Sequence, residues 1–451
     1  MKLLLSEIAA ATGGKLVGDD ITVTTVSTDS RSVNEGDFFV ALVGKNFDGH
    51  NFLSQVEKSG AQALLVDRMV DTTLPYCLVE NTTLAFGNMA SLAREKWAKP
   101  LVAITGSCGK TTVKGMLSSI LSKAGNTLAT AGNFNNEIGV PITLLRLESD
   151  HEYAVIEMGA NHPGEIDYLS SIAKPDVALV NNVLPSHVEG FGSVDGIAKA
   201  KGEIFSNLKA GGLAIVNFDD DYADFWLANL GDQPRYLFSQ NNAAADFYAS
   251  NIEFKKNGCA RFKLNTPVGQ VAVELGVLGD SNITNAVAAS ACALAAGVSL
   301  GNIVAGLTEF TAVNGRLMLK AGLGGSVVID DTYNANPGSV KSAIKVLASY
   351  AGAKILVLGD MGELGENAVT WHQEVGAYAK QLGVSSLLTC GILSRFAAQE
   401  FGENAQHFES KQMLIDYLMG ILKENYTVLV KGSRSTKMED VVKIIAGGSI
   451  N

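Results

Sequence analysis

A short apolar run, Leu101-Val102-Ala103-Ile104, leads directly into Thr105-Gly106-Ser107-Cys108-Gly109-Lys110-Thr111-Thr112, and the residues from about Lys110 have helical spacing. No other stretch constrains the chain as much. Glycines let successive backbone N–H groups turn inward, the start of a helix adds positive potential, a lysine reaches the outer phosphates, and a threonine hydroxyl can ligate magnesium. The unit predicts a nucleotide-phosphate cradle made of Gly106, Ser107, Cys108, Gly109, Lys110, Thr111 and Thr112, with ATP as its occupant. Ile104 stands where the strict GxxxxGK[ST] pattern has its first glycine. A chance Gly-rich turn is the plain alternative, and the agreement of strand, GKT and helix argues against it.

Further strand-like runs at Ala154-Val155-Ile156, Val177 to Val180 and Leu213 to Val216 alternate with helical segments, which predicts a mostly parallel sheet covered by helices. Before Pro100, short strands such as Asp37 to Leu42 and Ala63 to Val66 mix with helices and end in an amphipathic helix from Ala85 to Trp97. From about 248 to 278 alternating residues suggest a small antiparallel section, followed by an Ala-rich helix from about Asn282 to Ala296. Beyond Val313, strands near Ser326 to Asp330, Lys354 to Leu358, Ser386 to Thr389 and Thr427 to Lys431 read as a separate open sheet. The expected fold class is α/β in three domains: residues 1–97, a central P-loop ATPase-type parallel sheet over 98–312, and a Rossmann-like sheet over 313–451. A chain of 451 residues is too long for one core, which agrees with this division.

Charge and cysteine usage narrow the function. A formal net charge of -11 argues against nucleic acid held by general phosphate attraction, so phosphate binding is expected to be local. The 5 cysteines are scattered and form no CxxC pair, which indicates neither a disulfide framework nor a structural zinc and suits a reducing cytoplasm. Glu7 interrupts the apolar start, so the opening reads as a helix rather than a signal peptide, and no apolar run reaches the length of a membrane span.

Several side chains gather at expected strand ends. Glu157 follows the strand at Ala154, where open sheets place their ligands, and is the preferred carboxylate partner for magnesium; an exposed strand-end glutamate is the bland reading. His187 lies beyond Asn181-Asn182 and reads equally as a cation ligand or a solvated loop histidine. Lys199 and Lys201, at the start of an expected helix from Ala198 to Leu208, say nothing alone. The amides of Asn133, Asn135 and Asn136 could recognise a sugar or peptide, or form a plain Asn-rich turn. In Ser30-Arg31, Arg31 could pair with a pyrophosphate or make a surface salt bridge.

Taken in order, TGSCGKTT (105–112), TAGNFNNEIGVP (130–141), IEMGANHPGEI (156–166), NNVLPSHVEGFGS (181–193), NGRL (314–317), DDTYNANPGS (330–339), LGDMGELG (358–365) and VKGSRSTKMED (430–440) resemble the motifs of Mur ligases over nearly the whole chain. Within that family the GANHPGEI, DTYNANP and DMGELG segments look like the branch that adds D-alanyl-D-alanine. The resemblance implies ATP and Mg2+ as cofactors, UDP-N-acetylmuramoyl-tripeptide and D-alanyl-D-alanine as substrates, and an acyl phosphate formed before the amide bond. It implies metal positions served by Thr111, Glu157, His187 and a carbamylated Lys201, with Lys110 neutralising phosphoryl charge. It places Asn282 and Asn285 on the adenine, although Ser281 stands where that motif usually has histidine. Arg316, Asp331 and Asn334 are implied at the ribose or phosphates across the domain joint. A UDP site is implied at Ser30, Arg31, Gly44 and His50. Asp360, Glu363 and the segment Lys431 to Arg434 read either as ligand contacts or as turn residues. Another Mur ligase or a folylpolyglutamate synthase-like enzyme is the alternative, and a cytoplasmic monomer is the default expectation.

Overall fold

The computed structural model describes residues 2–255 and 258–449. The first sheet has the order Lys15–Val17, Tyr76–Leu78, Ala63–Val66, Asp37–Val40 and Thr25–Ser27, parallel except at its Lys15–Val17 edge. Its covering helix, Thr82–Trp97, starts where the Asn81 side chain accepts from the amides of Thr83 and Leu84, and so begins three residues before the apolar spacing suggests.

The central sheet is parallel throughout, in the order Thr127–Ala129, Tyr153–Glu157, Leu101–Thr105, Val177–Val180, Leu213–Asn217 and Arg235–Phe238. Strand alternation divides its core. Leu101 and Ala103 pack with Phe38, Phe86 and the first sheet's helix, whereas Val102 and Ile104 face Val113, Leu117 and the Ala-rich helix Ser281–Ala295. Three antiparallel strands, Tyr248–Phe254, Cys259–Thr266 and Gly269–Leu278, cover that second face. Their end residues Cys259 and Leu278 are instead buried against Val346 and Ile344 of the last unit, so this small sheet joins the two cores.

The last sheet has the order Ala405–Phe408, Ser386–Cys390, Ala353–Gly359, Tyr426–Lys431, Val327–Asp331, Met318–Gly322 and Ala446–Ser449. The first five strands are parallel and the last two are antiparallel additions. The architecture is therefore α/β, as expected. One local difference matters for the site. The helix around Lys201 spans Val194–Gly202 because Ser193 caps it, its hydroxyl accepting from the Gly196 amide; Lys199 and Lys201 lie in its last turn rather than its first. No helix among the described residues is long and apolar enough to cross a membrane.

Candidate active site

The chain reverses its direction of sheet growth at Leu101–Thr105, which has Tyr153–Glu157 on one side and Val177–Val180 on the other. Such a switch point opens a crevice at the C-terminal strand ends. Three strands accordingly deliver the Gly106 to Thr112 loop, Glu157 and the pair Asn181-Asn182 to one place. A cleft of about 1440 Å³ begins there and extends to the last unit.

Backbone conformation explains the loop's composition. Gly109 has φ +79°, and a Cβ on it would lie 2.5 Å from both Asn181 Nδ2 and Asn285 Oδ1. Asparagine amides lock the rest: the Cys108 amide donates to Asn182 Oδ1 at 2.8 Å, and Asn181 Nδ2 donates to the Cys108 carbonyl at 2.9 Å. Lys110 Nζ donates to the Gly106 carbonyl at 2.6 Å, folding the side chain along its own loop. Burial holds its pKa below the ordinary lysine value, although the Glu157 charge works in the opposite direction.

Glu157 is buried. Its Oε1 accepts from Asn135 Nδ2 at 2.9 Å and stands 3.5 Å from Thr111 Oγ1. Oε2 accepts no hydrogen bond, although Lys114 Nζ is 3.1 Å away. The Lys114 ammonium offsets part of the charge on that oxygen, and a buried carboxylate oxygen without a hydrogen bond can still take a further cation. The arrangement fits magnesium held by one carboxylate, one hydroxyl, phosphate oxygens and water, the sparse protein coordination typical of that ion. Among the described residues no group of three or more His, Cys, Asp and Glu side chains forms a cage.

His187 and Lys201 line the same cleft. His187 has φ +54°, and its Nδ1 meets Glu363 Oε2 at 2.5 Å, a contact from the central unit to the last one. Burial lowers the His187 pKa, the neighbouring Lys110 and Lys201 push the same way, and Glu363 opposes them. Lys201 is buried with no carboxylate partner among the described residues, and burial together with the charge of Lys110 brings it down to about 7. An amine that is substantially neutral near physiological pH is the form that reacts with carbon dioxide.

Asn282 and Asn285 border the cleft, but their amides serve the framework. Asn282 Nδ2 donates to the Leu278 carbonyl at 2.7 Å, Asn285 Nδ2 to Asn282 Oδ1 at 2.9 Å, and Asn181 Nδ2 to Asn285 Oδ1 at 3.1 Å. From the last unit, Asp331 pairs with buried Lys431 at 2.5 Å, and Lys431 also donates to the Asn334 carbonyl. Arg316 stacks 4.1 Å from the Tyr333 ring centroid, and its Nε is buried without a partner.

Family models match in chain order: "Mur ligase family, catalytic domain" over residues 22–92, "Mur ligase middle domain" over 104–293 and "Mur ligase, glutamate ligase domain" over 315–434. The chain belongs to the Mur ligase family. This Mur ligase is 46% identical over 447 residues to the UDP-N-acetylmuramoyl-tripeptide–D-alanyl-D-alanine ligase of Escherichia coli (strain K12), covering 99% of this chain and 98% of the relative. It is 32% identical to the protein of the same name from Bacillus subtilis (strain 168), covering 98% of each. A crystal structure of MurF from Acinetobacter baumannii superposes with a TM-score of 0.93 at 38% identity over 98% of both chains. MurF ligase from Thermotoga maritima in complex with ADP gives 0.85 at 27% identity, covering 94% of this chain and 97% of the other.

The remaining residues of the Mur ligase expected at a UDP site lie apart from the large cleft. Arg31 is mostly exposed and held by Asp29, with Nη2 2.6 Å from Oδ2. His50 is enclosed: Nδ1 is 2.7 Å from Asp48 Oδ1, and Nε2 is 3.2 Å from the Asp67 amide. Gly44 sits in the hairpin of Val43–Gly44 and Phe47–Asp48, where a Cβ would strike the Phe47 ring, and the Ser30 carbonyl accepts from Gln55. The loop at Asn133, Asn135 and Asn136 does border the large cleft, and it runs into the helix Gly139–Leu145, which packs against the strand Thr25–Ser27 just before Ser30. Sequence reasoning missed Lys114, Asn181, Asn217 and Asn336. Lys114 and Asn217 are polar residues inside a helix and a strand, Asn181 follows a strand end and Asn336 caps a helix; only the fold shows what each touches.

Proposed function

We propose that this Mur ligase joins D-alanyl-D-alanine to UDP-N-acetylmuramoyl-tripeptide with ATP, giving the pentapeptide precursor of peptidoglycan, ADP and phosphate. The observation that carries the reading is the convergence of the phosphate loop, the undersatisfied Glu157 carboxylate and the last unit's Arg316, Lys431 and Arg434 around one cleft. The full-length likeness to ligases of that name supports the choice of substrates.

A carboxylate is a poor acyl donor, and transfer of the γ-phosphoryl group gives it a leaving group. The loop amides and Lys110 hold the phosphates and offset the charge that grows on the transferring group. Thr111 and Glu157 would hold magnesium, which supplies charge neutralisation to the phosphate oxygens. His187 and a carbamylated Lys201 are assigned to a second cation. Arg316, Asp331 and Asn334 approach the nucleotide from the last unit. Asn282 and Asn285, as adenine neighbours, contribute by fixing the loop. The first sheet, with Ser30, Arg31, Gly44 and His50, is assigned to UDP, and Asn133, Asn135 and Asn136 to the sugar and peptide. The domain reading of 1–97, 98–312 and 313–451 accompanies this division of labour, with a cytoplasmic monomer as the working form.

The test is phosphate release with ATP, magnesium and UDP-muramoyl tripeptide, with and without D-alanyl-D-alanine, together with mass analysis. Dipeptide-dependent release and a pentapeptide product are expected. Release driven instead by glutamate or a diamino acid would keep the ligation chemistry and overturn the substrate.

A further inference from the structure

We propose that Arg434 receives the free carboxylate of the incoming dipeptide and so selects a peptide acid over its amide. The inference rests on the ligase reading above. A dipeptide carries an ammonium end, which must reach the activated carbonyl, and a carboxylate end roughly 7 Å away when extended. Drawing that carboxylate into a cleft without a cation is costly, so some side chain must meet it.

Most cations around the cleft are committed elsewhere. Lys431 is paired with Asp331, Lys320 with Asp330, Lys114 with Glu157 and Lys443 with Asp440. Lys110 lies along the phosphate loop, and Arg316 packs on Tyr333. Lys201 and the Arg316 Nε are buried without a carboxylate partner among the described residues; Arg434, like Lys443, is largely exposed and paired with one carboxylate, but it alone of the exposed pair has a planar guanidinium suited to a bidentate contact. Its side chain is 67% exposed, and its one hydrogen bond among the described residues runs from Nη1 to Glu439 Oε1 at 2.9 Å. The Nε–Nη2 edge is left open, which is the edge a carboxylate takes in bidentate fashion.

The surroundings hold that edge in place. The Tyr333 ring is near both guanidinium groups, with Arg316 Cζ at 4.1 Å and Arg434 Cζ at 6.0 Å from its centroid. Arg434 opens a short turn, Arg434–Thr436, in which Thr436 Oγ1 donates to the Ser433 carbonyl at 2.7 Å and the Ser433 amide donates to the Asp360 carbonyl at 2.9 Å. Glu439 anchors Arg434 through Oε1 alone, at 2.9 Å from Nη1, while its Oε2 is buried without a hydrogen bond.

The experiment compares D-alanyl-D-alanine with its C-terminal amide in wild type, Arg434→Ala and Arg434→Lys. Wild type is expected to favour the acid in kcat/KM by roughly ten- to a hundredfold, the range of one charge-assisted contact. Arg434→Ala should lose that preference through the KM for the acid alone, with the KM for ATP and for UDP-peptide unmoved, and Arg434→Lys should fall between. A variant that keeps the wild-type preference, or that raises KM equally for acid and amide, overturns the assignment. Failure of wild type to make any pentapeptide from the dipeptide would overturn the ligase reading itself, and is told apart by that control.

Discussion

Glu157 is a buried carboxylate that hydrogen bonds satisfy only in part. One oxygen is shared by Asn135 and Thr111, and the other is buried with no hydrogen bond and the Lys114 ammonium 3.1 Å away. Glu157→Gln keeps the volume and removes the charge, so it should lower ADP formation by ~100- to 1000-fold, the scale of losing one preorganised electrostatic contact. UDP-peptide binding by calorimetry should persist; loss of both would indicate that Glu157 holds the fold instead. Lys201 gives a pH signature. Its folded-state value of about 7 lies below the ordinary 10.5, so between those values the unfolded chain holds the extra proton. Stability therefore rises with pH across that window, and burial of Lys201 costs most below about 7. Wild type should gain on Lys201→Met in thermal melts as pH rises from 7 towards 10, and labelled bicarbonate should mark wild type only above the lower end of that range. A pH-independent difference would sink the assignment. Glu157 was readable in the sequence because a strand end places it, whereas Lys201, in a helix, said nothing alone and entered through the family resemblance. Partners across the cleft were not readable: Glu363 is 176 positions from His187 by the difference of their numbers, and nothing local ties the two.

The elements were legible where pattern and capping agree. The run Ala63–Val66 and the helix at Lys110 fall where periodicity places them. Strands such as Thr127–Ala129, Arg235–Phe238 and Met318–Gly322 escaped notice because they are only partly buried and carry no continuous apolar run like that of Ala63–Val66. At this scale the loop and helix at 106–121 act as one unit, and Gly109 is its joint. Gly109→Ala meets both a positive φ and two asparagine side chains, so nucleotide binding should weaken by roughly 5- to 150-fold in a fluorescent-ATP titration, the equivalent of the about 1–3 kcal/mol expected for such strain. Near-normal binding would show that the loop can rearrange. Across the cleft, the helix Pro337–Ala348 begins with Asn336, whose Oδ1 accepts from the Ser339 amide while its Nδ2 points at Cys108 Sγ, 3.0 Å away. Asn336→Ala should cost about 1 kcal/mol of stability by loss of the cap, read by denaturant unfolding. A larger change in kcat than in KM for ATP would show that the Cys108 contact also positions the loop.

For the whole molecule, the joint between the central and last units is uneven. On one side Cys259 and Leu278 are embedded in the last unit's core, and Gly279 lies against Val346. On the other, the cleft is bridged by the His187–Glu363 pair and the Asn336–Cys108 contact, both partly open to water. Partly exposed ion pairs contribute ~0–1 kcal/mol, so little holds the cleft shut, whereas separating the apolar side would expose buried carbon. This unevenness predicts a hinge, in which rotation about the antiparallel strands opens the cleft while the core contact persists. Nucleotide groups bound by residues of both units would then supply the missing closing energy. Scattering should therefore show a larger radius of gyration without ligands than with a non-hydrolysable ATP analogue, magnesium and UDP-peptide together. Glu363→Ala should shift the unliganded average further open without altering the liganded value. Identical profiles under all conditions would mean that the joint is rigid and that substrates enter a preformed cleft.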